Sequence, residues 1–296
     1  MLNLKRIFIF GILFMISVFA KAQQSKVDAA YTFLVQKQLD SAKAAIDIAI
    51  ANPETTNDIN AWYIRGFIYK TIFNEREKSN YDSPARLESL RSFKKMYSLT
   101  NDPTEKSQAI GGIKYLTTTI YNGVGDNLDT IHYKTAIAMF DLFKEYYPLV
   151  DSSKTNIQKK DVEFLLALAS TYTEKFKNNK SKPEFLNLTK VTYNRVLTID
   201  PNNISANYNM GILYYNQAVD LINQSDYDLD IVALSDIQDN SITLFKQSLP
   251  FMEKAYSFDP NRKETLLGLS GIYFSLNEFD KSNLIKQRLK EIEQQK

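Results

Sequence analysis

Apolar side chains recur along this chain at intervals that place them on one face of an α-helix. Three runs share the offsets 0, 4, 7 and 10, and each lies just before a proline. They are Ala136, Phe140, Phe143 and Tyr146 before Pro148; Thr189, Tyr193, Val196 and Ile199 before Pro201; and Ser248, Met252, Ala255 and Phe258 before Pro260. Those offsets are the spacing of one helical face. Because proline cannot continue a helix, each run predicts a helix that ends near its proline.

A second pattern lies between these runs, where a small residue precedes a tyrosine by three positions. The pairs are Gly66 and Tyr69, Ala169 and Tyr172, Gly211 and Tyr214, and Ser270 and Tyr273. With Trp62 ahead of the first pair, this spacing resembles the first helix of the tetratricopeptide repeat, whose signature is Trp-x2-Leu-Gly-x2-Tyr. Such repeats are helical hairpins that must stack, because one hairpin cannot bury its apolar face alone.

The resemblance implies an all-α fold, a right-handed superhelical solenoid of about six helix-turn-helix repeats with lengthened connections between the first and second helix of a repeat. It implies a single domain over residues 23–296, with Ala30 and Phe33 in the first repeat and the polar residues 291–296 as a terminal cap. It also implies a small residue at the first apolar position of each second helix, so that the first helix can approach closely.

The repeats are longer than the 34 residues of the family. The prolines at 53, 103, 148, 201 and 260 are 50, 45, 53 and 59 residues apart, and the surplus falls between the two helices of a repeat, as in residues 220–240. Each surplus is read either as extra helical turns or as an inserted loop. Repeat 3 is the least regular, because Gly111, Gly112, Gly123 and Gly125 obscure its first helix and leave its signature residues unplaced.

The first 22 residues predict a cleaved export signal. Lys5 and Arg6 precede an apolar run of 13 residues at 7–19, and Ala20-Lys21-Ala22 forms a small-x-small cleavage site before Gln23. A membrane-spanning helix needs about 20 apolar residues, so the alternative of an uncleaved anchor would use an unusually short segment. The export signal leads us to expect a periplasmic or envelope protein of a bacterium, with no membrane span in the mature chain. The chain has no cysteine, so we expect neither lipid attachment through cysteine nor disulfides.

Charge narrows the range of partners. The chain has 36 basic and 34 acidic side chains, and loss of the predicted signal removes three bases and changes the formal charge from +2 to −1. A nucleic-acid-binding protein would carry a basic face. We therefore expect no nucleic acid partner.

No motif predicts catalysis, a cofactor or a bound metal. His132 is the only histidine, and there is no cysteine with which it could share a metal. Ser92-x-x-Lys95 matches the acylation motif of penicillin-binding proteins, but the companion Lys-Thr-Gly is missing. The carboxylates of residues 226–230 alternate as in an EF-hand loop, without the glycine and glutamate that such a loop requires. We expect a protein that is not an enzyme.

The resemblance also implies a concave groove lined by the first helices. The candidate groove residues are Tyr31, Tyr63, Phe67, Lys70, Tyr208, Ile212, Tyr215, Asn216 and Phe274. Tyrosine buries a large area at low entropic cost, which suits a protein or peptide partner, although the same rings could belong to the core. The sequence thus predicts a non-catalytic protein- or peptide-binding scaffold of the bacterial cell envelope. The alternative is a glycan-binding accessory protein of an outer-membrane uptake system, since aromatic faces also stack on sugar rings.

Overall fold

The computed structural model describes residues 26–223 and 230–294, and this part of the chain contains helices and turns but no strand. The helices are α1 (26–35), α2 (Leu39–Ile50), α3 (Ile59–Ile72), α4 (Pro84–Leu99), α5 (Pro103–Asp126), α6 (Tyr133–Val150), α7 (Lys154–Asn178), α8 (Pro183–Ile199), α9 (Ile204–Asn223), α10 (Ile231–Phe258), α11 (Lys263–Ser275) and α12 (Phe279–Gln294). A π-helical turn at Phe73–Glu77 extends α3. The predicted export signal at 1–22 lies outside the described residues.

Within each unit, most of the described packing is between helices that follow one another in the chain. Helix α3 pairs with α4, α5 with α6, α9 with α10, and α11 with α12, while α4 also contacts α5 and α10 contacts α11. The contacts divide the chain into two compact units, one ending at Ile157 and the other beginning at Gln158. Within each unit the hairpins therefore pack in sequence order, as stacked helical repeats do. The right-handed superhelical course and the single domain over 23–296 stay predictions.

The predicted close approach of paired helices is confirmed, and one side chain on each of two second helices shows why glycine is needed there. In the first unit, the ring of Phe93 on α4 lies between Gly66 and Gly112. A Cβ added to Gly66 would lie 2.7 Å from one edge of that ring, and a Cβ added to Gly112 would lie 2.5 Å from the opposite edge. Both distances are shorter than a van der Waals contact, so neither position can hold a larger residue without displacing the ring.

The second unit repeats this arrangement with a different side chain. Met252 on α10 lies between Gly211 on α9 and Gly268 on α11, and an added Cβ would lie 2.6 Å and 2.5 Å, respectively, from its atoms. Met252 is fully buried, as Phe93 is. In both units, a side chain of the second helix therefore fills a space between the first helix of its own repeat and the first helix of the next one.

A recurring hydrogen bond fixes the same contact. The hydroxyl of Ser89 donates to the carbonyl oxygen of Gly66 at 2.8 Å, and the hydroxyl of Ser248 donates to that of Gly211 at 2.6 Å. Ser282 donates to the carbonyl of Ser270 at 2.8 Å in the last hairpin. The first apolar position of the second helix is thus small, as expected, and in these three hairpins it is also a donor to the paired helix.

The surplus length lies largely in longer helices where the chain is described. Helices α5, α7 and α10 have 24, 25 and 28 residues. In the region 220–240, α9 continues to Asn223 and α10 begins at Ile231, so the flanks of this stretch are helical. The reading as inserted loops is therefore wrong for these flanks, and residues 224–229 lie outside the described part.

Two expectations about helix ends need correction. Pro148 lies inside α6, which continues to Val150, because a proline near a helix end disrupts few backbone hydrogen bonds. Phe258, the last apolar position of its run, is 45% exposed, since it stands at the C-terminal end of α10, beyond the contact made by Ala255. The other positions of the three runs are buried or half-buried as predicted.

Repeat 3 can now be placed. Helix α5 runs without a break through Gly111, Gly112, Gly123 and Gly125. Gly112 and Gly268 occupy equivalent positions, because each faces the buried side chain of the preceding second helix. Five residues further on, Thr117 therefore stands where Tyr273 stands in the last repeat, and both are buried. A threonine in the tyrosine position explains why the sequence signature was not recognised.

A buried arginine ties the first repeats together. Arg65 on α3 is 7% exposed and donates to Asp47 on α2 at 2.9 Å and to Glu88 on α4 at 2.8 Å. It also donates to the hydroxyl of Ser92 at 2.8 Å. The guanidinium is thus paired on two sides, as a buried charge must be. Ser92, the serine of the Ser-x-x-Lys match, therefore has a structural role in this network.

Candidate binding surface

In the first unit, three of the predicted groove residues form a continuous patch on α3. The rings of Tyr63 and Phe67 lie 4.8 Å apart, and the Lys70 ammonium lies 4.1 Å from the centre of the Phe67 ring. Phe67 in turn packs edge-on against the buried ring of Phe93 at 5.7 Å. Phe93, whose ring lies between Gly66 and Gly112, thus packs against this patch as well.

Helix α5 contributes a residue that the sequence reasoning missed. Tyr115 is 41% exposed, its ring centre lies 5.4 Å from the Lys70 ammonium, and its hydroxyl donates to Asn74 at 2.7 Å. We call the patch formed by Tyr63, Phe67, Lys70 and Tyr115 the α3–α5 surface. Tyr115 was missed because the register of repeat 3 could not be read from the sequence. The approach of Gly112 to Phe93, which sets this register, is seen only in the structure.

In the second unit, a cavity of about 250 Å³ lies beside the first helices α7 and α9. Its walls come from α7, α8 and α9, and we call it the α7–α9 cavity. Two predicted groove residues, Ile212 and Asn216, line it together with Thr173, Phe176 and Leu213. Ile212 is half-buried and Asn216 is exposed. The structure therefore brings these two residues to one concave site.

Polar groups surround an apolar interior at this cavity. Lys180 and Asp220, which both line the cavity, form an ion pair at 2.7 Å. Gln217 accepts a hydrogen bond from the ammonium of Lys190 at 3.1 Å. Tyr193 lines the cavity and is 3% exposed, and burial raises the pKa of its phenol. The arrangement offers an apolar space with hydrogen-bonding groups beside it, which is the usual composition of a ligand pocket.

Tyr208 and Tyr215 are only half-buried, and both pack against the core cluster that contains Met252 and Leu269. The Tyr215 ring lies 5.5 Å from Phe245, and a Cβ added to Gly271 would lie 2.8 Å from the Tyr215 hydroxyl. The Arg262 guanidinium lies 3.9 Å from the centre of the Tyr208 ring. These two rings therefore contribute to packing between α9 and α11 and present only part of their surface to solvent.

The remaining predicted groove residues lie at the two ends of the chain. Tyr31 on α1 and Phe274 on α11 are each 56% exposed. Phe274 packs edge-on against Phe279 at 5.5 Å, and the Lys286 ammonium lies 5.2 Å from its ring centre. Tyr31 belongs to the first unit and Phe274 to the second. Each is an exposed aromatic residue on a first helix, and its part in a binding groove stays a prediction.

The residues considered for chemistry have structural partners. His132 is exposed, and its Nδ1 lies 2.7 Å from the carboxylate of Asp129. The hydrogen bonds from His132 and from two backbone amides lower the pKa of Asp129 to about 2. Among the described residues, no group of three His, Cys, Asp or Glu side chains could hold a metal ion. The carboxylates of 226–229 lie outside that part of the chain.

Hairpins that pack in sequence order within each unit, and a second-helix side chain lodged between glycines of two first helices, are the recurring features of this fold. This packing agrees with the resemblance to the tetratricopeptide repeat that the sequence shows. Within 26–223 and 230–294, no helix is both long and apolar enough to cross a bilayer.

No family model and no curated protein match this sequence. Three similar solved structures illustrate the range of likeness. The MamA protein shares 12% identity over 92% of both chains with a TM-score of 0.29, and the TPR domain of P58(IPK) shares 12% over 91% of this chain and 93% of its own with a TM-score of 0.24. The human IFIT1 dimer with m7Gppp-AAAA shares 11% over 88% of this chain and 66% of its own, with a TM-score of 0.35. At these scores the likenesses carry no argument about ligand or partner.

Proposed function

We propose that this protein is a non-catalytic scaffold that binds a protein or peptide partner on the surfaces formed by the first helices of its repeats. The observation that carries the proposal is the α7–α9 cavity, which opens between first helices and is lined by Ile212 and Asn216. Tetratricopeptide-type hairpins expose these helices as a continuous face, because the second helices take the opposite layer of each pair.

The size and lining of the cavity suit a bulky side chain of a partner. Its volume of about 250 Å³ exceeds the roughly 150 Å³ of an engineered apolar cavity that accepts benzene. Phe176, Ile212 and Leu213 supply apolar walls, while the amides of Asn209 and Asn216 can bond to a peptide backbone. An anchor side chain in a pocket with polar groups around it is the common arrangement of an interface hot spot.

We also propose that the chain acts in the bacterial envelope after export and cleavage before Gln23. The support is the pattern of residues 1–22, with its basic start, short apolar run and small-x-small ending. N-terminal sequencing of the protein recovered from the periplasm of a Gram-negative host tests this. We expect Gln23 as the first residue, and recovery of the intact chain from Met1 in the membrane pellet would contradict the proposal.

Binding at the cavity is tested with peptides selected by the whole protein from a phage-displayed library of random linear sequences. Asn216→Trp places a large ring at an exposed position of the cavity lining. We expect this variant to weaken the selected peptides by at least about tenfold, since a hot-spot contact is worth more than about 1.4 kcal/mol. The matched control is Gln238→Trp, which adds the same ring at an exposed position on α10.

Three outcomes would count against the proposal. Equal affinities for the wild type and Asn216→Trp would remove the cavity as the site. Failure of the library to yield any binder would remove peptide binding itself. Binding on a glycan array that Asn216→Trp abolishes would favour the glycan-binding alternative, for which the aromatic residues of the first helices supply the same stacking surfaces.

A further inference from the structure

The α3–α5 surface contains a positive charge that has no negative partner within the described part of the chain. Lys70 is half-buried, and its ammonium lies 4.1 Å and 5.4 Å from the ring centres of Phe67 and Tyr115. Among the residues that the structure describes, no carboxylate lies within 4 Å of this ammonium and no group accepts a hydrogen bond from it. The cation is therefore held between aromatic rings alone.

Two other lysines in comparable surroundings have a polar partner for the ammonium group. Lys190 is half-buried to a similar degree, but it donates to the amide oxygen of Gln217 at 3.1 Å. Lys94 lies near the Tyr146 ring and pairs with Glu145 at 3.0 Å. Lys70 shares the aromatic contacts of Lys94 and the burial of Lys190, and it has neither kind of polar partner.

Burial of an unpaired ammonium is unfavourable. It lowers the pKa of Lys70, because the low-polarity surroundings disfavour the charged form. The faces of Phe67 and Tyr115 offset part of this cost through the attraction of a cation to a ring. A carboxylate would offset more of it, because a hydrogen bond between two charged groups is shorter and stronger than one between neutral groups.

The surface leaves room for such a group. Gly111 precedes Tyr115 by four residues and so lies on the same face of α5. A Cβ added at Gly111 would have nothing within 4 Å, whereas one added to the adjacent Gly112 would strike Phe93. The space beside Tyr115 is therefore open to solvent, next to the aromatic rings that hold the ammonium.

We propose that the α3–α5 surface binds an acidic side chain of a protein partner, with its carboxylate on the Lys70 ammonium and its neighbouring apolar groups on Tyr63 and Phe67. This proposal rests on the proposed function and names the chemistry of the partner at a second site. Charge complementarity selects an acidic residue, and the ring faces of Tyr63 and Phe67 select an apolar neighbour beside it.

The test selects linear peptides from a phage-displayed library on the whole wild-type protein and, in parallel, on Lys70→Met. We expect enrichment of Asp or Glu next to an apolar residue on the wild type and loss of that enrichment on Lys70→Met. For synthetic versions of the enriched peptides, Lys70→Met should weaken binding by about ten- to a hundredfold, the loss associated with a charged hydrogen bond. Lys134→Met, which removes an exposed lysine of the same unit, should change nothing.

A second pair of variants acts on the open space. Gly111→Glu should block acidic peptides by placing a carboxylate on this face of α5, while Gly111→Gln, of equal size and no charge, should block them less. Circular dichroism should show both folded, since the position is open.

The two proposals fail in different ways. Peptides that respond to Asn216→Trp but show no Asp or Glu enrichment would overturn the acidic partner and leave the scaffold function standing. Equal loss with Gly111→Glu and Gly111→Gln would also overturn it, since size alone would then explain the effect. Binding of uronate-containing glycans in place of acidic peptides, abolished by Lys70→Met, would assign the lysine to another class of ligand and refute the protein partner. A library without any binder would refute both.

Discussion

Two consecutive glycines of α5 provide a direct test of the repeat packing. Gly111 is exposed, and a Cβ added there would meet nothing within 4 Å. Gly112 is buried, and its Cβ would lie 2.5 Å from the ring of Phe93. The same substitution by alanine at these neighbours should therefore have opposite effects on the free energy of unfolding.

The size of each effect follows from the local surroundings. Replacing glycine by alanine inside a helix stabilises by about 1 kcal/mol, so Gly111→Ala should raise the free energy of unfolding by that amount. Gly112→Ala gains the same term but overpacks the ring, which costs about 1–3 kcal/mol. The ring cannot retreat, because Gly66 lies at its opposite edge. The net change for Gly112→Ala should be a loss of about 1 kcal/mol.

Removal of the ring should reverse the sign. Phe93→Ala alone should cost about 3–5 kcal/mol, since the side chain is fully buried. In that background Gly112→Ala meets no ring and keeps only its helix-forming gain of about 1 kcal/mol. The coupling between the two positions should thus be about 2 kcal/mol, well above the roughly 0.5 kcal/mol within which distant sites add. Gly111→Ala should show no coupling to Phe93.

Equilibrium urea unfolding followed by circular dichroism measures all of these values. Changes of the same sign and size for Gly111→Ala and Gly112→Ala would refute the assigned register of α5. A coupling below about 0.5 kcal/mol between Gly112 and Phe93 would refute the placement of the Phe93 ring between the two first helices. Either result would also remove the support that Phe93 gives to Phe67 on the α3–α5 surface.

Three further predictions concern stability. Arg65→Met should cost about 2 kcal/mol in urea unfolding, because two half-exposed carboxylates lose the buried cation that pairs with both. Tyr215→Ala should cost about 2 kcal/mol, since its ring packs on the core, whereas exposed Asn216→Ala should stay within about 0.5 kcal/mol; equal losses would place both side chains in the core. Hydrogen bonds hold the pKa of Asp129 at about 2 in the folded protein, below its ordinary value of 3.8. The ionised carboxylate therefore stabilises the fold at pH values above 3.8, and this stabilisation is lost as the pH falls through 2. Asp129→Asn should therefore flatten the pH dependence of stability between about pH 4 and 2, and an unchanged curve would contradict this.

The groove shows how far the repeat signature reaches. Ile212 and Asn216, whose register in repeat 5 is set by Gly211 and Tyr214, line the α7–α9 cavity, and their role in binding stays a prediction. Tyr115 was not found, since repeat 3 has Thr117 in the position where that signature has tyrosine. Tyr215 has the expected position on its helix, but Gly271 opposite leaves room for its hydroxyl, and the ring packs inward. The helical position of a residue is a local property, whereas its exposure depends on the neighbouring repeat.

The sequence by itself determined the all-α fold, the hairpins and the close approach of paired helices. Helical periodicity is a local property of the chain, and so is the position of a glycine, whose lack of a side chain lets another helix approach closely. The tertiary structure decided which glycine faces which buried side chain, and that Ser89, Ser248 and Ser282 donate across the hairpins. It also decided that Lys70 lies beside two rings and, among the described residues, beside no carboxylate. These depend on side chains that are distant in the chain and meet only when successive helices pack. A partner must recognise that arrangement, so the chemistry of binding could be inferred only after the helices had been placed.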